Sequence, residues 1–472
     1  VHRLTGVGRD YAWGSSRAIP DLMGTPATGR PVAELWFGAH PAGAARLAAD
    51  GSGEGDEVGE GADGAAAARE DLTAHATRGG VREDLTAHAT RGGVREDLTA
   101  HARGAGGAAG GSAVGLAEHD QPPTAADLRA LIAADAVGTL GEDVVSRFGA
   151  HLPYLLKLIA PERPLSLQVH PSLERAREQF AAEEAAGTPR DAPHRNYRDP
   201  NHKPELVYAL TTFEAMCGFR APRRAAELFV DLDVPLAREL HRILRSDTSA
   251  EGVRQAFTTL LAPATRPPAA QVQAVAAACA ARLAAGSPSP RADGTVVMLA
   301  EAYPGDPGVV ASLLLNPVTL QPGEALFIPA GGVHAYLSGV GVEIMASSDN
   351  VLRAGLTTKH IDVAEMLECV DYVAAPPIRP APEVFHGATR VFYAPVDDFE
   401  LSITDLADLP DGPRHPLPGR GPRILLCLDG TADVATAEER VRLERGQAVF
   451  VRADEGRVFV HGTGTLVQAD VP

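Results

Sequence analysis

The sequence predicts a mainly β protein built from jelly-roll barrels, with an α-helical lobe inserted into the first of them. Three observations carry this. Short apolar or alternating segments, broken by Pro, Gly or Asn, fill most of the chain. Between about Pro222 and Gly286 the apolar period changes to that of a helix. Strand-type segments then return and continue to the end of the chain, with the turn chemistry of a barrel.

Val32 to Phe37, Pro153 to Ile159, Pro164 to Val169, Glu205 to Ala209 and Phe213 to Phe219 read as the first strands. Thr124, Asp127 and the apolar run Leu128, Leu131, Ile132 read as a capped helix among them. In the lobe, Ala225, Leu228, Phe229 and Leu232 recur at helical spacing, and Val272 to Leu283 is Ala-rich. Strand signals resume at about Val296. Leu313 to Leu315, Ala325 to Ile328 and Val342 to Met345 are separated by Asn-Pro, Pro-Gly and Gly-Gly turns. A last β-rich block from about Tyr393 holds Ile424 to Leu428, Val449 to Val451 and Val458 to Val460. The expected division is a first barrel in two parts, 1–221 and 291–372, a helical lobe at 222–290 and a jelly-roll-like block at 373–472.

Residues 50–114 interrupt the first part. They are rich in Gly, Ala and Glu and contain three tandem units of 13 residues, beginning at Arg69, Arg82 and Arg95. One Leu and one Val per unit do not bury a solenoid core, so a disordered surface-loop insertion is expected. His75, His88 and His101 recur at that period, but a polar tract does not fix them in a metal geometry.

The chain has 472 residues, 45% of them hydrophobic and 22% charged, as in a globular enzyme of several domains. Its 43 basic and 61 acidic residues give a net charge of −18, which repels nucleic acid and anionic lipid. Four dispersed cysteines, no CxxC pair and no apolar run of membrane-spanning length point to a cytoplasmic protein with reduced thiols. A monomer acting on a small molecule is expected, with neither nucleic acid nor membrane as partner.

In Leu165-Ser-Leu-Gln-Val-His-Pro171, Gln168 and His170 stand two apart, so on a strand both leave the same face. Taken alone, such a pair is more often a hydrogen-bonded surface pair than a ligand pair. In Asp199-Pro-Asn-His-Lys-Pro-Glu205, Glu205 opens an apolar strand and offers a carboxylate, while His202 reads as a turn residue. In Leu326-Phe-Ile-Pro-Ala-Gly-Gly-Val-His-Ala-Tyr336, a strand, a Gly-Gly turn and then His334 between apolar residues direct an imidazole into a barrel. Two histidines, a carboxylate and an amide oxygen form a donor set suited to one zinc ion with room for water or substrate.

These residues resemble the type I phosphomannose isomerases of the cupin superfamily. Tyr11-Ala-Trp-Gly14, Ala33-Glu-Leu-Trp-Phe-Gly38, Leu167-Gln-Val-His-Pro171, Asn201-His-Lys-Pro-Glu205 and the run from Glu343 to Lys359 carry the resemblance, in the right order. It implies cupin barrels and reversible isomerisation of mannose 6-phosphate and fructose 6-phosphate. It also implies one zinc on Gln168, His170, Glu205 and His334, with Arg353 catalytic. By the same resemblance Lys157, Ser166 and Lys359 hold the phosphate. Lys157 lies in an otherwise apolar strand, where a buried ammonium needs an anion.

The reaction opens the hexose ring and moves a proton between C2 and C1 through a cis-enediol. Arg353 is assigned to stabilising the charge that develops, and Tyr336 to a wall against the sugar hydroxyls. Lys203 and Glu343 are both candidates for the base, and the sequence does not choose between them. The rivals are a metal-dependent cupin oxygenase and a sugar-phosphate-binding cupin without catalysis. Gln168 and the cations Lys203 and Arg353 favour a redox-neutral reaction on an anionic sugar.

Overall fold

Alternation decides how the strands stack. In this computed structural model, which describes residues 1–48, 127–409 and 414–472, three antiparallel sheets and a run of helices lie in successive layers. The repeats, their three histidines and Thr124 fall outside the described residues. The helix expected after Thr124 is Leu128–Ala134, and its N-cap is Asp127, whose side chain accepts from Ala130 N at 2.9 Å.

A seven-stranded sheet includes, in spatial order, Ala325–Ile328, Glu205–Ala209, Gly341–Ala346, Tyr154–Ile159, Glu34–His40 and Val7–Arg9. A five-stranded sheet runs Leu315–Leu320, Phe213–Phe219, His334–Ser338, Leu167–Val169, Leu352–Gly355. Each sheet is covered on both sides and largely buried on both faces, with the buried polar groups gathered on the inner ones. The inner faces meet through Val207, Ala209, Ala215, Cys217, Ile328 and Tyr336. Behind the seven-stranded sheet, Leu156, Leu158, Leu206 and Ile344 pack on Ile424, Leu426, Phe450 and Val467 of a ten-stranded C-terminal sheet. Behind the five-stranded sheet, Leu167, Met216, Ala335 and Leu352 pack on Leu240, Phe257, Val296 and Leu299 of the helices.

Three details differ from expectation. Val296 belongs to the helix Pro290–Ala302, not to a strand, because Val296 and Leu299 lie one turn apart and bury together against the other helices. Leu313 lies in a short 3-10 turn, Ser312–Leu314, and the strand begins only at Leu315. The N-terminal strand His2–Thr5 was expected with the first barrel, yet it pairs with Ala448–Val451 and extends the C-terminal sheet.

Candidate metal centre

Register brings the inward side chains together. Gln168 is the direct cross-strand partner of His334 on one side and of Arg353 on the other, so all three leave one face of the five-stranded sheet. His170 follows two residues after Gln168, beyond the end of that strand. The Pro329-Ala-Gly-Gly332 turn closes on it, since Gly331 N donates to His170 O at 2.9 Å. Gly331 takes φ 79°, where a side chain is strained, and a Cβ there would stand 3.0 Å from that of Asp371. The turn thereby sets His170 and His334 side by side, with ring centroids 5.0 Å apart.

Glu205 enters from the opposing sheet. Its Oε1 lies 3.2 Å from His170 Nε2 and its Oε2 lies 3.4 Å from His334 Nε2, and all three residues are buried. Each imidazole donates from Nδ1 to a backbone carbonyl: His170 to Asn350 O at 2.8 Å, His334 to Gly332 O at 2.9 Å. That fixes both tautomers and leaves a lone pair on each Nε2. Neither Nε2 has a hydrogen bond, despite the contact distance to Glu205. Two lone pairs and a carboxylate thus converge, with ligand atoms within 4.8 Å of one another and no proton between them. This arrangement is repulsive alone and fits a cation.

The electrostatics agree. Desolvation, then the charge of Lys203, lowers the His170 pKa to about 4, so its imidazole is neutral, the form that binds metal. Burial opposes the charge of Glu205, but the ammonium of Lys203 outweighs it and holds the carboxyl well below its usual range. Lys203 Nζ stands 3.0 Å from Glu205 Oε1.

Beside this centre runs a buried chain of polar groups. Tyr336 OH donates to Glu343 Oε1 at 2.9 Å, and Glu343 Oε2 pairs with Lys157 Nζ at 3.1 Å. Glu34 lies 3.9 Å beyond the ammonium, with Trp36 Nε1 donating to its carboxylate at 2.6 Å. Desolvation raises the Glu343 carboxyl against the pull of Lys157, while Glu34 and Glu343 keep the buried Lys157 charged. The anion that Lys157 needs is therefore supplied by the protein, and burial by itself no longer argues for a phosphate there. Tyr336 is buried with its hydroxyl committed to Glu343, so it does not present the open wall expected for it.

Arg353 is half-buried, and among the described residues no carboxylate is within ion-pair distance of it. Burial, then the nearby charge of Arg198, lowers its pKa. Ser166 is half-buried, two residues before Gln168. Lys359 is exposed in the turn that follows Leu352–Gly355, with its N–H on Thr357 Oγ1 at 3.1 Å. His202 is more than a turn residue, since its Nε2 lies 3.0 Å from Asp398 Oδ2 of the C-terminal block.

Sequence reasoning missed Asp199, Ser348, Asn350 and His40. Ser348 and Asn350 sit inside a motif that the resemblance quoted and Asp199 stands two residues before another, and no residue spacing assigns them a partner. His40 is buried 3.5 Å from Asp349, at the end of the strand that carries Glu34 and Trp36.

Fold and site together define an enzyme of the cupin type, with a candidate metal centre between the two sheets of a barrel. Residues 114–222 match the family model for the catalytic domain of phosphomannose isomerase type I. Mannose-6-phosphate isomerase of Escherichia coli K12 is 33% identical over 470 residues, covering 99% of both chains. That of Pan troglodytes is 32% identical over 68% of this chain and 77% of its own. A solved structure of a phosphomannose isomerase variant from Salmonella typhimurium superposes with TM-score 0.75 at 32% identity, over 99% of this chain and 98% of that one. A mannose 6-phosphate isomerase solved with zinc and yttrium gives 0.74 at 33%, with the same coverage. The chain belongs to the type I phosphomannose isomerases, aldose–ketose isomerases acting on mannose 6-phosphate.

Proposed function

We propose that the chain interconverts mannose 6-phosphate and fructose 6-phosphate through a cis-enediol, with one zinc ion held by Gln168, His170, Glu205 and His334. The observation that carries this reading is the convergence of two Nε2 lone pairs and the Glu205 carboxylate with no proton between them. When bound, zinc supplies Lewis-acid stabilisation of negative charge on the substrate oxygens.

The other roles fall to the chain's own groups. Arg353 lines the face that bears Gln168 and His334, and it presents a planar fork of donors where the enediolate charge develops. Lys203, acting as the neutral amine, takes the proton from one carbon and returns it to the other at Nζ. It is preferred over Glu343, whose two oxygens are held by Lys157 and Tyr336. Ser166 and Lys359 receive the phosphate. The four cysteines are buried and free, which fits a protein working in the reducing cytoplasm.

The test joins metal content to turnover. Protein dialysed against chelator and reloaded with one equivalent of zinc should convert mannose 6-phosphate to fructose 6-phosphate, and the metal-free protein should not. Full turnover without metal, or tight binding of the sugar phosphate with no conversion after reloading, rejects the reading.

A further inference from the structure

The segment after Gly341–Ala346 and the segment before Glu205–Ala209 are joined by more hydrogen bonds than two passing loops need. Asp199 Oδ1 accepts from Ser348 Oγ at 2.8 Å, from Asn201 N at 3.0 Å and from Asn350 Nδ2 at 3.2 Å, and Oδ2 accepts from Asp349 N at 2.7 Å. Asn350, only 1% exposed, answers in kind. Its Nδ2 donates to Asp199 O at 2.7 Å and to Asn201 O at 2.8 Å, and its Oδ1 accepts from Arg198 N at 2.8 Å. The backbone carbonyl of Asn350 is the one that receives His170 Nδ1.

We propose that Asp199 and Asn350 are positioning residues for the isomerisation. They lock segment 198–201, which leads into Lys203 and Glu205, onto segment 347–350, which orients His170 and leads into Arg353. This rests on the functional reading above. The residue types suit the task. A carboxylate only accepts, and Asp199 meets four donors; an amide both donates and accepts, and Asn350 uses both ends. A histidine ligand is aimed by the partner of its second ring nitrogen, and that partner, the Asn350 carbonyl, belongs to a residue whose amide is tied to Asp199.

The test uses the full chain loaded with cobalt(II) alone, whose visible spectrum reports ligand geometry. Wild type, Asp199→Asn, Ser348→Ala and the control Arg282→Gln are compared by spectrum, kcat, KM and Tm. The control breaks a buried ion pair among the helices, where Arg282 Nη2 meets Asp293 Oδ1 at 2.6 Å. Asp199→Asn turns an N–H toward groups that donate. It should move the cobalt bands and lower kcat about ten- to a hundredfold, with KM changed by less than about threefold. Ser348→Ala removes one of the four donors and should shift both in the same direction by less. Arg282→Gln should lower Tm with the spectrum and kcat unchanged. Wild-type cobalt bands in both Asp199→Asn and Ser348→Ala, with kcat falling no further than in the control, overturn the proposal. If Asp199→Asn does not fold, Ser348→Ala decides by the same two readings. A wild type that neither takes up cobalt nor isomerises mannose 6-phosphate rejects the functional reading instead.

Discussion

Replacing Lys157 by Met separates a lysine that serves the protein from one that serves the substrate. The side chain is 5% exposed, 3.1 Å from Glu343 and 3.9 Å from Glu34, and Met keeps most of its volume. At 3.1 Å and an effective dielectric of about 20, the Glu343 pair is worth about 5 kcal/mol before desolvation. Removing one partner of such a buried pair costs about 3–5 kcal/mol, because a carboxylate is left without compensation. Glu343→Gln should cost less, since Glu34 still faces the ammonium. In the double variant the two losses should fail to add by about 2 kcal/mol or more. The assay is urea unfolding of the metal-free wild type, both single variants and the double variant at neutral pH, together with KM for mannose 6-phosphate. Losses that add to within about 0.5 kcal/mol, accompanied by a large rise in KM for Lys157→Met, would refute the ion-pair argument and return Lys157 to the phosphate.

Three further outcomes are expected. His334→Ala removes one of two histidine ligands and should abolish zinc retention through gel filtration, whereas Arg353→Lys should retain zinc and lose about two orders of magnitude in kcat; equal metal in wild type and His334→Ala rejects the ligand assignment. Burial raises the Asp470 carboxyl from its usual 3.8 to about 8, against the pull of Arg423. Its folded pKa lies above the unfolded one, so its contribution to stability is full below pH 3.8 and is lost as pH rises through 8. Unfolding free energy should drop by about 3 kcal/mol from pH 6 to pH 9 on this account, and Asp470→Asn should remove that part of the slope; an unchanged slope contradicts it. Leu128 N donates to Ala45 O at 3.0 Å, so the chain on either side of the repeats is already joined. Deleting residues 55–110 should leave kcat/KM within about twofold, because closing a shorter loop between ends that already meet costs little; a collapse in activity would make the repeats part of the working enzyme.

The candidate ligands were legible as inward-facing groups because each stands in a pattern that points its side chain. Gln168 lies on a strand face with His170 two residues on, His334 follows a Gly-Gly turn, and Glu205 opens an apolar strand, so strand alternation together with the turn brings them inward. The chain of groups from Tyr336 to Glu34 was half legible. Lys157 among Tyr154, Leu155, Leu156 and Leu158 announced a buried charge needing an anion, but which anion depends on the pairing of Gly341–Ala346 with Tyr154–Ile159, which sets Glu343 directly opposite Lys157. Register between strands more than 180 residues apart has no local signature. The same reason hid Asp199 and Asn350, whose hydrogen bonds join loops about 150 residues apart. It also hid His2–Thr5, too short and polar to declare that its partner is Ala448–Val451 at the other end of the chain. Val296 failed differently: a β-branched residue beside another reads as strand until the helices that bury it are in place. What a single position can reveal is the direction a side chain takes, and what it cannot reveal is the group that waits there. The candidate metal centre was readable because its donors point at one another across a barrel, while the partners of Lys157 and Tyr336 emerge only from the pairing of distant strands.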